Sequence, residues 1–62
     1  MNYATYKEYA SQVGTGFATR MALSNNVCIA NVHLWNVRYN RELDLADTQR
    51  TIRLKEPSAH AG

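Results

Sequence analysis

Ala22-Leu23-Ser24-Asn25-Asn26-Val27-Cys28-Ile29-Ala30-Asn31-Val32-His33-Leu34-Trp35 is the stretch that decides the fold. Val27 lies five positions beyond Ala22, Val32 five beyond Val27, and Trp35 three beyond Val32. Two short helices that cross closely need a small residue at their contact, and Ala22 is small. The turn between them needs a residue that accepts positive φ, for which asparagine is the best choice after glycine. Val32 and Trp35 share one face of a second helix and close over the same core. The spacing therefore predicts two packed helices joined by a tight turn, the second running from about 28 to 36. Val27, Ile29, Val32, Leu34 and Val37 are β-favouring types, but the alternation that a strand needs breaks at Ala30-Asn31.

Upstream, Thr5-Tyr6-Lys7-Glu8 has the form of a capping box, in which the Thr5 hydroxyl and the Glu8 carboxylate satisfy each other's backbone amides. Tyr6, Tyr9, Ala10 and Val13 follow at helical spacing, and Gly14 stands where a helix stop falls. This predicts a first helix over about 6–13. Thr15 is suited to cap a second helix over roughly 16–23, with Phe17, Ala18, Met21 and Ala22 along one stripe. Ser24-Asn25-Asn26 favours local side-chain hydrogen bonds over a continued helix.

Downstream, residues 36–41 are polar and lack helical periodicity. Leu43 and Leu45, then Ile52 and Leu54, alternate with polar residues, a period of two that lines up one face on two strands. The segment 46–50 would connect them, although it holds no glycine. Pro57 ends the ordered part and 58–62 reads as a frayed tail. The fold expected is α+β: one domain over 1–57, with three short helices and a C-terminal β-hairpin. An all-α form with five helices is the alternative.

With 62 residues, the chain holds a single small core near the lower limit of independent folding. One cysteine excludes an internal disulfide, and with two histidines it is too little for a structural zinc site. No run reaches the length of a membrane span, and residues 1–5 lack the basic-then-apolar form of a secretion signal, so a soluble intracellular protein is expected. Net charge is only +2, yet Arg38, Arg41, Arg50, Arg53 and Lys55 all lie between residues 38 and 55. Such a basic cluster is suited to neutralising phosphates. Enzymatic activity is not expected. There is no glycine-rich phosphate loop or metal-ligand cluster, and Cys28 and His33 at i,i+5 point apart on a helix.

Thr5-Tyr6-Lys7-Glu8-Tyr9-Ala10 with Gly14, the run Gly14-Thr15-Gly16 to Arg20-Met21-Ala22, then Val27, Val32 and Trp35, and finally Arg53-Leu54-Lys55-Glu56-Pro57 fall in one order. In that order they resemble the small Cro-type phage repressors and related bacterial helix-turn-helix regulators, over about residues 5–57. The five-helix alternative is also a form of that family. Asn26 stands where the family turn normally has glycine, Asn25 where it has a buried leucine, and Cys28 where a serine or threonine caps the next helix.

The resemblance implies a transcriptional repressor in a bacterial cytoplasm that binds double-stranded DNA as a homodimer, with no cofactor, metal or small-molecule substrate. Helix 3 would enter the major groove. Its reading positions fall on Ile29, Ala30, His33 and Leu34, where Ala30 and Leu34 are suited to thymine methyls and His33 to a base edge. Arg38, Asn40 and Arg41 would hold backbone phosphates. Strand 51–56, at a sheet edge, would pair with its two-fold mate. The apolar character of helix 3 also fits a non-catalytic subunit of a larger assembly. Tyr3-Ala4-Thr5-Tyr6 and Val32-His33-Leu34 are similar in separation to the epsilon subunit of mitochondrial ATP synthase. A phage inhibitor of a host protein is the third reading.

Overall fold

The computed structural model describes residues 1–55 and contains three helices: α1 (Tyr3–Val13), α2 (Thr15–Ser24) and α3 (Ile29–Lys55). Among these residues there is no strand, so the α+β expectation with its hairpin is overturned, and so is the five-helix form. The tail at 58–62, and Pro57 before it, lie outside the described residues.

The first two helices fall close to their expected places, but their ends are built differently. Asn2, not Thr5, caps α1: its side chain accepts from the Thr5 amide at 3.0 Å and from the Thr5 hydroxyl at 3.0 Å. The helix therefore begins three residues earlier than the capping box suggests. Gly14 closes it, donating to the Ala10 carbonyl at 3.0 Å, and its own carbonyl accepts from Ala18 at 3.2 Å to open α2. Thr15 is the first residue of α2 and not its cap.

Gly14 sits at φ 111 and ψ 162, a region open essentially to glycine alone. A Cβ there meets nothing within 4 Å, so Gly14→Ala tests backbone strain without a steric clash. The expected cost is about 2 kcal/mol, near a 10 °C drop in melting temperature, measurable by thermal circular dichroism.

The turn after α2 is a Schellman motif. Asn26 adopts φ 63, its amide bonds the Leu23 carbonyl at 3.0 Å, and the Val27 amide bonds the Ala22 carbonyl at 3.1 Å. Ser24 Oγ and Asn25 Nδ2 both donate to the Met21 carbonyl at 2.8 Å, which satisfies the end of α2. Asn25 is exposed, so no leucine-like residue fills the core from that position. Asn26→Gly removes the Cβ penalty of the left-handed conformation. It is expected to stabilise by a few tenths of a kcal/mol up to about 1, seen as a higher urea midpoint.

Tyr6, Ala10, Ala18, Ala22, Val32 and Tyr39 form the core, with Tyr3, Tyr9, Val27 and Trp35 packed around it. The three alanines let the helices approach closely, and the aromatic residues fill the remaining volume. Tyr6 is completely buried, and its ring lies 5.4 Å from that of Trp35 and 6.5 Å from that of Tyr3. Its hydroxyl donates to Asn36 Oδ1 at 2.5 Å and lies 3.3 Å from Thr19 Oγ1. One side chain of α1 thus ties α2 and α3 together.

The largest correction concerns residues 36–55, where the polar segment, both expected strands and their loop form one helix continuous with the start of α3. No glycine or proline interrupts Ile29–Lys55, and most residues after Tyr39 are good helix formers. Arg53 and Lys55 lie in the last turn, where positive charge suits the helix dipole. The apolar pairs do not share a face. At about 100° per residue, Leu43 and Leu54 fall on one line of the helix and Leu45 and Ile52 on the opposite one.

With 27 residues α3 is about 40 Å long. The radius of gyration is 15.9 Å, against about 11 Å for a compact chain of this size. The molecule is a small three-helix head from which the second half of α3 projects. No described helix is both long and apolar enough to cross a membrane.

Candidate nucleic-acid interface

The Schellman turn sets the angle at which α3 leaves α2, and Val32, Trp35, Asn36 and Tyr39 turn one face of α3 inward. What remains outside is decided by that anchoring. Ile29, Ala30, His33, Leu34, Asn40 and Arg41 are all exposed, Ile29 at 74 % and Leu34 at 62 %. By helical geometry these six occupy an arc of about 140° facing solvent. Leu34 and Arg41 lie two turns apart on its outer line. Val37, 42 % exposed, sits between His33 and Arg41 on the same arc and was not among the expected contact residues. Its β-branched type drew attention to strand formation and away from its place on a helix.

Arg38, grouped with Asn40 and Arg41 from sequence, goes elsewhere. Its guanidinium carbon lies 4.0 Å from the centre of the Tyr3 ring, and its Nε is 3.4 Å from Glu42 Oε2. Lys7 of α1 reaches the other Glu42 oxygen at 2.9 Å. Arg38 therefore helps fasten α1 to α3, and Arg41 is the arginine left on the open arc.

This fastening titrates at both ends of the pH scale. The hydrogen bond from Lys7, with further help from Tyr3 and Arg38, holds the Glu42 carboxyl below its ordinary value despite some desolvation. The Tyr3 hydroxyl is buried without a well-aligned hydrogen-bond partner, and burial together with the Glu42 charge pushes its pKa up. A depressed carboxyl gives stability that is present above its unfolded value near 4.5 and lost as pH falls through the folded one. A raised tyrosine gives stability that is present below 10.0 and lost as pH rises through the folded value. Stability is thus expected to be flat between those limits, and Glu42→Gln should flatten the acid limb in urea titrations at pH 3 to 7.

Residues 29–41 contain no aspartate or glutamate, so the arc carries Arg41, His33 and Asn40 among apolar side chains. That surface is suited to a partner with negative charge and apolar methyl groups. No known protein family, curated protein or solved structure matches the chain. Cys28 is exposed at the foot of α3, and among the described residues no group of histidine, cysteine, aspartate and glutamate is placed to hold a metal ion.

Proposed function

We propose that the chain binds double-stranded DNA, with the first three turns of α3 as the recognition helix in the major groove. The observation that carries this reading is the α2–turn–α3 geometry. Ala22 is fully buried, Asn26 is left-handed, Val32 and Trp35 are packed inward, and an arc free of carboxylates stands clear of the body. Ala30, Leu34 and Val37 suit thymine methyls, His33 and Asn40 suit base edges or sugar-phosphate oxygens, and Arg41 suits a phosphate. Arg38 is withdrawn from this role because it is engaged with Tyr3 and Glu42. The expected pairing of two copies through strand 51–56 is not proposed again, since 51–55 is helical.

Selection of bound sequences from random duplexes is the deciding experiment, and an enriched site protected in a footprint is the expected result. With the one phosphate that Arg41 is placed to neutralise, affinity should fall roughly 3- to 4-fold between 50 and 200 mM salt. Arg41→Ala should reduce the logarithmic salt slope by about 1. A flat salt response, or no enrichment, removes the reading. Exposed Ile29 and Leu34 are equally suited to a protein surface, so the subunit and inhibitor readings gain if duplex binding is absent.

A further inference from the structure

The second half of α3 has exposed apolar residues and, beyond Glu42, no partner among the described residues. Leu45 is 57 % exposed and Ile52 55 %, two turns apart on one line with Thr48 between them. Leu43 and Leu54 are exposed on the opposite line, where Leu43 borders the core residue Tyr39 and α1 approaches. The Leu45–Ile52 line is clear of the head. Beyond Glu42 no described charged side chain of α3 takes part in an intrachain ion pair. Acids and bases are also separated along this half: Glu42, Asp44 and Asp47 come first, then Arg50, Arg53 and Lys55. A lone helical extension propagates at close to break-even free energy, so burial of these side chains would favour its order.

We infer that residues 42–55 of α3 pair antiparallel with the same residues of a second copy of this chain. In the alignment that centres between Thr48 and Gln49, Leu45 of one copy lies at the level of Ile52 of the other. Asp44 and Lys55 border this line on one side, and Glu42 and Arg53 border it on the other. A two-fold axis across the pair keeps each border facing its own kind. Asp44 then meets Lys55 along one edge, twice across the two-fold axis, while along the other edge Arg53 comes beside Glu42, whose carboxylate is already held by Lys7 and Arg38 of its own copy. A parallel pair in register sets acid against acid and base against base, which the antiparallel pair avoids. The overlap is about 20 Å long and smaller than a standard interface, so the dimer is weak, with a Kd of order 10 µM to 1 mM. This inference does not rest on DNA binding.

Analytical ultracentrifugation of the full chain without DNA, from about 10 µM to 1 mM, tests it. The wild type should show reversible dimerisation. Asp44→Lys alone and Lys55→Glu alone should each weaken it about tenfold or more, because like charges then meet at both edge contacts. Mixing the two variants should restore a dimer, since the mixed pair again sets opposite charges together. Leu45→Ser with Ile52→Ser should abolish dimerisation, and Leu43→Ser with Leu54→Ser should leave it. A wild type that stays monomeric at 1 mM overturns the inference. So does a mixture that fails to recover, or dimerisation lost only through Leu43 and Leu54. Circular dichroism of every variant separates loss of pairing from loss of the helix.

Discussion

Tyr6→Ala is expected to leave the chain largely unfolded at 25 °C. Among the described residues Tyr6 is the one large side chain that is fully buried, and it touches the aromatic rings of both Tyr3 and Trp35. Truncating a buried aromatic ring typically costs about 3–5 kcal/mol. A domain of this size has total stability of about the same magnitude. The hydroxyl adds a second contribution, because Asn36 and Thr19 lose a shared partner when it goes. Tyr6→Phe separates the two: it keeps the ring, leaves Asn36 Oδ1 without its donor, and should cost about 1–2 kcal/mol. Urea titration followed by helical circular dichroism reads both variants. An alanine variant that melts within a few degrees of the wild type is incompatible with the three-helix core described above.

Ala22→Leu carries the second largest expected effect, a loss of about 2–3 kcal/mol. Ala22 is fully buried and its carbonyl accepts the Val27 amide in the Schellman turn, so the methyl group sits where the chain reverses. Three further carbons must displace either the turn or its neighbours in the core. Ala18→Leu is expected to behave similarly, since Ala18 is also at 0 % exposure. Ala4→Leu, on the exposed face of α1, is the control and should change stability by less than about 0.5 kcal/mol. Duplex affinity is the more telling readout for Ala22→Leu at low temperature, where the protein remains folded. A shift of the turn re-aims α3 and should weaken binding even when helix content is unchanged.

The first half of this fold was legible because its signals are local. Gly14 and Asn26 occupy positions of positive φ, Ala22 is small where close packing requires it, and Val32 and Trp35 share an inward face. The second half was misread for a definite physical reason. Periodicity reports which face of an element is buried, and residues 43–55 bury neither face against the other described residues. With Leu43 and Leu54 on one line and Leu45 and Ile52 on the other, the pattern imitates the alternation of a strand. Two other residue-level signals pointed to the helix: a majority of good helix formers after Tyr39, and the lack of any glycine to close a hairpin.

The candidate interface was similarly half visible. Ile29, Ala30, His33, Leu34, Asn40 and Arg41 lie on the exposed arc, but Arg38 is drawn away by Tyr3 and Glu42. Nothing local to Arg38 reveals a ring that comes from the opposite end of the chain. The same holds for the bond between Tyr6 and Asn36, which spans 30 positions.

Because α3 passes from the Schellman turn to Lys55 without a joint, the molecule behaves as a short handle on a small clamp. A load applied near Leu45 or Ile52 is carried toward Ile29 and His33 along one helix, with no glycine or proline joint between them. Whatever grips the far end therefore also steers the near one.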